Sequence, residues 1–243
     1  MISKNEAKYI QSLYRKKNRD ANEMFIAEGP KLIDELLQSD FIIKKMYATD
    51  EWIENNTASI PVISVTSSEL QRISNLETPN KVLAIVEKKK PKIPSLANKI
   101  TIALDGLQDP GNLGTIIRIA DWFGVEDIIA SGDTADVYNP KVVQSTMGSL
   151  IRVNIFYTDL NSFLKDVDVT IYGALLDGKN IYEMKPMKEG IILIGNESKG
   201  VQQDLLKLAS HRITIPKAGQ AESLNAAVAA GIILSQILKT EIA

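Results

Sequence analysis

Residues 191–201, IILIGNESKGV, decide how this chain is read. Four apolar residues, Ile191 to Ile194, form a short strand of the buried kind. Gly195-Asn196-Glu197-Ser198-Lys199-Gly200 then turns sharply, with a glycine at each end. In open α/β sheets ligands sit at the carboxyl ends of strands, and a glycine there permits close backbone approach. The turn has neither the phosphate-loop spacing nor the dinucleotide fingerprint. Alone it names no ligand.

Two other segments share its grammar. In LDGLQDPGNLGTIIRIADWFGV (104–125), Ile100 to Leu104 alternates like a strand, and Asp-Gly and Asp-Pro-Gly punctuate a loop. Asn112 is expected to cap the following helix. Leu113, Ile116, Ile117, Ala120 and Phe123 share one helical face, and Gly124 supplies the stop. Arg118 falls opposite that face, near Thr115 and Trp122, where a solvated arginine is the plain reading. The other segment is ITIPKAGQAESLNAAVAAGIILSQIL (213–238). A strand, Ile213 to Ile215, empties through a Pro-Gly loop into a helix read as Ser223 to Ile242. Its first residues, Glu222, Ser223 and Asn225, sit where unpaired N–H donors collect. Ala226-Ala227-Val228-Ala229-Ala230-Gly231 is small enough for another backbone to lie against it, though an ordinary capped core helix reads the same way.

Composition excludes more than it selects. The chain has 243 residues, no cysteine and one histidine, so a disulfide framework, a thiolate metal site and a histidine triad are all ruled out or hard to build. His211 precedes a strand and reads as a surface or helix-end residue. The first twenty residues lack a long apolar core, so neither a signal peptide nor a membrane span is expected, and a cytoplasmic protein fits best. Net charge is −2, which argues mildly against nucleic acid. The charge is uneven, however: residues 1–95 carry 15 basic against 13 acidic side chains, and the remainder carries 13 against 17. Arg15, Lys16, Lys17 and Arg19 cluster where they either hold phosphates or form a solvated helix end.

The linker is plain. Residues 87–95, EKKKPKIPS, are charged and proline-punctuated. Ahead of it, MFIAEGPKLIDELL gives strand, turn and amphipathic helix. IIKKMYAT, PVISV and KVLAIVE read as strands, with Ser67 to Ile73 helical. Behind it, strands at 100–104, 127–130, 151–155, 170–175, 191–194 and 213–215 alternate with helices, the pattern of a parallel sheet covered on both faces. The organisation expected is 1–90 as a small α/β domain, 91–98 as linker and 99–243 as a second domain.

In order and spacing, the three segments resemble the three motifs of SPOUT RNA methyltransferases of the SpoU/TrmH type. The likeness rests on Asn112 to Arg118 (N-x-x-x-x-x-R), on I-G-N-E-x-x-G from Ile194 to Gly200, and on I-P…E-S-L-N…V-A-A in the third. Phe25 to Lys31 (F-x-x-E-G-x-K) extends it to the substrate-binding domain often found ahead of SpoU catalytic domains. Where relatives have Gln-Gly after Thr-Pro, this chain has Asn80-Lys81. Lys217 replaces a frequent Met, and Ala226-Ala227 a frequent Val-Ser.

The resemblance implies a deep C-terminal trefoil knot, S-adenosylmethionine (AdoMet) as cofactor, RNA as partner and homodimerisation through the knotted domain, with no metal and no membrane. It implies transfer of a methyl group to a ribose 2′-hydroxyl, with 23S-type ribosomal RNA ahead of transfer RNA as substrate. A non-catalytic RNA-binding assembly factor that kept the fold is the alternative. A nicotinamide dehydrogenase fails for want of the glycine fingerprint. Carried onto this chain, the catalytic set is Arg118, Asn112, Glu197, Ser223 and Asn225. Arg118 clamps phosphate, Glu197 and Asn225 fix loops and orient Arg118 or substrate, and Ser223 caps a helix or touches ribose. For Glu197, tying its own turn together is an equal alternative. The cofactor set is Gly173, Leu175, Ile194, Gly195, Asn196, Ile215 and Leu224, with plain core packing the competing role of the aliphatic members. RNA is expected on Arg15, Lys16, Lys17, Arg19 and Lys217.

Overall fold

A computed structural model describes residues 2–238. The chain forms two compact units, one built from the residues up to Lys90 with Asp136–Ile151, the other from Pro91–Ala135 and the residues from Arg152 onward.

The first unit begins with α1 (Lys4–Ser12), α2 (Lys16–Asn22), β1 (Met24–Glu28), α3 (Pro30–Leu37) and β2 (Ile43–Ala48). It continues through α4 (Asp50–Asn55), β3 (Val62–Ser64), α5 (Ser67–Ile73) and β4 (Val82–Glu87). Its sheet runs β1-β4-β2-β3, with β4 antiparallel to both neighbours and β2 parallel to β3. α5 starts where Thr66 and Glu69 form a reciprocal capping box. Glu28 of the F-x-x-E-G-x-K stretch is buried. It accepts hydrogen bonds from the Tyr14 hydroxyl (3.0 Å), the Ser74 hydroxyl and the Asn75 N–H (3.3 Å). Burial and the Glu28 carboxylate push the Tyr14 phenol well above its ordinary pKa.

The second unit opens with β5 (Ile100–Leu104), α6 (Pro110–Trp122) and β6 (Asp127–Ala130). The chain then returns to the first unit for α7 (Pro140–Thr146). It resumes with β7 (Asn154–Tyr157), α8 (Leu160–Lys165), β8 (Ile171–Asn180), β9 (Gly190–Ile194), α9 (Gln203–Leu206), β10 (His211–Thr214) and α10 (Ala226–Ile237). The sheet order is β10-β8-β9-β5-β6-β7, and every pair is parallel. The expected parallel α/β sheet is therefore present. All five residues of β5 are buried, Thr101 included, so the apparent polar alternation belongs to a central strand covered on both faces.

Several expectations are corrected. Asp109, not Asn112, caps α6: its Oδ1 accepts the Asn112 N–H at 2.7 Å, and Pro110 occupies the first turn where its missing N–H costs nothing. Gly124 (φ +71°) ends that helix as expected. The Val125 N–H reaches the Ala120 carbonyl (2.8 Å) and the Gly124 N–H the Asp121 carbonyl (3.1 Å). The strand expected at 151–155 begins at Asn154, because Ser149–Ile151 is a short 3-10 turn. The last helix begins at Ala226 rather than Ser223, and its expected end at Ile242 lies outside the described residues. His211 opens β10 and stacks on Tyr172, with ring centroids 5.3 Å apart.

The return of Asp136–Ile151 to the first unit is a departure that linear composition could not register. Tyr138 packs its ring on Phe25 (4.7 Å), the Gln144 amide donates to the Glu28 carbonyl (2.8 Å), and Asp136 pairs with Arg19 (2.7 Å). That pairing overturns the expectation for Arg19. Its side chain is 2% exposed, and its Nη1 donates to the Leu13 and Tyr14 carbonyls. A guanidinium so enclosed is a structural cation and has no face to offer a phosphate.

Candidate active site

A wholly parallel sheet brings the carboxyl ends of its strands to one edge, and the loops that leave them meet there. Four matter: the loops after β5, β9 and β10, and an excursion within β8. Gly173 of β8 pairs with Leu193 of β9 and with Arg212 of β10. The next β10 residue, Ile213, pairs with Lys179, so residues 174–178 bulge out unpaired. Gly178 lies against the backbone of Arg212 and Ile213, where a Cβ would stand 2.7 Å from the Arg212 carbonyl carbon.

The loop after β9 is held at many points. The Asn196 side-chain oxygen accepts from the N–H groups of Ser198 (2.9 Å) and Lys199 (3.1 Å), and its backbone exchanges two hydrogen bonds with Gly200. The turn is thus tied by Asn196, not by Glu197, which leaves the Glu197 carboxylate to point elsewhere. Gly195 has a steric cause: a Cβ there would meet the Gly200 carbonyl carbon at 2.2 Å.

Glu197 instead ends a chain of side chains that joins all three motifs. The Asn225 oxygen caps α10, accepting from the N–H groups of Ala227 (3.0 Å) and Val228 (3.2 Å). Its amide nitrogen must then face Asn112 and donates to the Asn112 oxygen at 2.8 Å. That in turn aims the Asn112 nitrogen at Glu197 Oε1, 2.7 Å away. Each amide has one orientation that satisfies its neighbours, so the chain has a fixed direction from helix N-terminus to carboxylate.

Arg118 stands apart from this chain. It is exposed, on the same side of α6 as exposed Thr115 and Trp122, and its side chain has no hydrogen bond or ion pair among the described residues. No bond joins it to Glu197 or Asn225, so the expected orienting contact is not made directly. Ser223 is exposed in the loop before α10 and does not cap the helix, a role Asn225 fills. From Pro216 to Leu224 the chain makes no hydrogen bond among the described residues. Lys217 is exposed there, and Leu224 is 47% exposed. Ile194 and Gly173 are buried, while Leu175, Gly195, Asn196 and Ile215 are half-buried.

These loops suit AdoMet. They offer backbone donors and acceptors beside half-buried aliphatic side chains, Leu175 and Ile215 among them. Among the described residues no group of three or more His, Cys, Asp or Glu side chains is placed to hold a metal. No described helix is long and apolar enough to cross a membrane.

Two residues of the site escaped the sequence reading. Asp105 is 1% exposed, and its carboxylate accepts from both the backbone N–H and the side-chain amide of Gln202, each at 2.7 Å. In sequence Asp105-Gly106 reads as turn punctuation, and nothing marks Gln202, 97 residues on.

Comparison with known proteins gives the arrangement a relation. Residues 99–235 match the model of the SpoU rRNA Methylase family, and residues 4–84 that of the MRM3-like substrate binding domain. The chain is 34% identical to the 23S rRNA (guanosine(2553)-2′-O)-methyltransferase RlmP of Bacillus subtilis (strain 168), over 92% of each. A TrmH-family putative RNA methyltransferase from Porphyromonas gingivalis superposes with a TM-score of 0.88 at 34% identity, over 97% of this chain and 98% of that one. An AdoMet-bound rRNA methyltransferase from Sinorhizobium meliloti gives 0.88 at 30% identity, over 100% and 98%. With the three motif loops joined at the carboxyl edge of a parallel sheet, and more than half its length matched by one family model, the chain belongs to the SpoU rRNA methylase family.

Proposed function

We propose that the protein transfers the methyl group of AdoMet to a ribose 2′-hydroxyl of large-subunit ribosomal RNA. The observation that carries this reading is the Asn225–Asn112–Glu197 chain, which ties three motif loops together, with Arg118 exposed and unpartnered on α6, the helix whose first turn holds Asn112. The bound cofactor would supply an electrophilic methyl on sulfur, held by the backbones of Gly173, Leu175, Ile194, Gly195, Asn196, Ile215 and Leu224.

The chain's residues supply position and charge. Transfer needs the hydroxyl oxygen in line with the methyl, a route for its proton and a place for the adjoining phosphate. A guanidinium stays protonated, so Arg118 is a poor base and a good clamp. Free of any internal partner, it grips the phosphate beside the target ribose and stabilises the alkoxide as it develops. The proton leaves to a phosphate oxygen or water. Asn112, Glu197 and Asn225 hold the loops to tolerance, and exposed Ser223 is available to the ribose.

The first unit serves as the RNA-binding module, with Arg15, Lys16 and Lys17 as phosphate contacts and Lys217 adding one beside the site. Arg19 is excluded by its burial. The second unit is knotted and pairs with another copy through α6 and α10, where Trp122 (84% exposed) and Val228 (50%) leave apolar surface uncovered. Likeness to a bacterial enzyme of 23S rRNA supports a cytoplasmic location.

Labelled AdoMet, incubated with the protein and total RNA from cells lacking its gene, tests the reading. Label recovered as a 2′-O-methyl nucleoside in the large ribosomal RNA is the expected result. Label confined to small RNA would move the substrate to transfer RNA. AdoMet binding with no label in naked RNA or precursor ribosomal particles would overturn the enzymatic reading.

A further inference from the structure

Adjacent residues at the end of β5 grip the loop that carries Glu197 at both of its ends. The Asn196 side-chain amide donates to the Gly106 carbonyl at 2.6 Å, before the excursion. Gln202, which follows it, donates twice to the Asp105 carboxylate, at 2.7 Å each. The Asp105 N–H continues the ladder to the Ile194 carbonyl at 2.9 Å, so the carboxylate is placed by the sheet itself. Residues 197–201 therefore span between two fixed points. Asp105 is 1% exposed, and no cation is bonded to it among the described residues.

We infer that Asp105 is a positioning residue for methyl transfer, acting on Glu197 and the AdoMet-binding backbone through its two hydrogen bonds to Gln202 rather than through its charge. The inference rests on the functional reading above. A buried carboxylate without a counter-ion is costly to keep, and both its oxygens are spent on one residue across the motif boundary. Charge offers no bonding pattern that a neutral amide could not reproduce. An asparagine at this position would accept the Gln202 N–H through its oxygen. Its nitrogen would donate to the Gln202 side chain once that exposed amide turned over.

The test is a set of four variants, assayed for AdoMet affinity by calorimetry and for kcat and KM toward ribosomal RNA, each well below its thermal midpoint. Asp105→Ala removes both bonds and is expected to lower kcat about 30-fold and AdoMet affinity about tenfold, with KM for RNA unchanged. Gln202→Glu sets two carboxylates face to face and should do the same. Asp105→Asn should stay within about threefold of wild type, and Asp105→Asn with Gln202→Glu should recover to that level, since both bonds form again. A well-folded Asp105→Asn variant as impaired as Asp105→Ala would show that the charge matters, and would overturn the inference. So would a double variant no better than Gln202→Glu, or wild-type constants in Asp105→Ala. If the wild-type protein transfers no methyl, the functional reading fails, and the same order of variants in AdoMet affinity alone still decides whether the grip sets the loop.

Discussion

Two loops leave the same edge of the same sheet and are built in opposite ways. Residues 195–201, after β9, are closed by Asn196, crossed by their own backbone at Gly195, and gripped from Asp105, Gly106 and Asn112. Residues 216–224, after β10, make no hydrogen bond among the described residues, and only Asn225 at their end is tied down. The first loop is organised before any ligand arrives. The second leaves its backbone groups without hydrogen-bond partners among the described residues. On the function proposed above, rigidity under Glu197 and freedom under Lys217 would separate holding the chemistry from admitting the substrate.

The sharpest test removes a group that belongs to neither loop. Arg118→Ala should lower transfer by about a thousandfold, near 4 kcal/mol of transition-state stabilisation, while AdoMet binding measured by calorimetry stays intact. Equal loss of both would mean that Arg118 holds the site together and does not clamp phosphate. Next is a pair of glycines. Gly195→Ala brings a Cβ to 2.2 Å from the Gly200 carbonyl carbon, so about 3 kcal/mol of stability and AdoMet binding should go together. Gly219→Ala, in the open loop, meets no atom within 4 Å and should change thermal stability by less than about 0.5 kcal/mol. Similar melting curves for the two would break the contrast.

Asn225→Asp probes the direction of the amide chain. The new carboxylate still caps α10, but whichever way Asn112 turns, one oxygen then faces another. A loss of about 1–2 kcal/mol is expected in chemical denaturation, with a smaller loss for Asn225→Ser, which caps without opposing Asn112. Should Asn225→Asp prove the milder change, the chain does not run as described. The smallest effect is reserved for Lys217→Ala. Stability should stay within about 0.5 kcal/mol, while the logarithmic salt slope of RNA binding falls by about one.

What the sequence disclosed follows from how local each cause is. α5 was legible because Thr66 and Glu69, three apart, define its start. Gly124 was legible because a left-handed stop is a property of one residue. Asn112, Glu197 and Asn225 were found through motif likeness, and no periodicity argument could have joined them, since 85 residues separate the first two and 113 the outer pair. The start of α6 is ambiguous in sequence because Asp109-Pro110 reads as loop punctuation, although aspartate before proline is also a helix opening. Arg19 hides in its sequence for a different reason. In a run of cations each looks solvated, and the carboxylate that draws this one inward lies 117 residues away. Asp105 was invisible on the same ground, because burial and a partner 97 residues distant are properties of the folded sheet.

The short strand β10 bears on colloidal behaviour. It closes the sheet on one side with four residues, carries Arg212 in its middle, breaks register after that residue and is followed at once by Ile215-Pro216. A bare sheet edge is a template for intermolecular strand addition, and a brief, charged, irregular edge ended by proline templates poorly. Regularising β10, for instance by Pro216→Val with Arg212→Val, should therefore leave a monodisperse protein prone to turbidity on concentration, visible by light scattering well below the unfolding temperature.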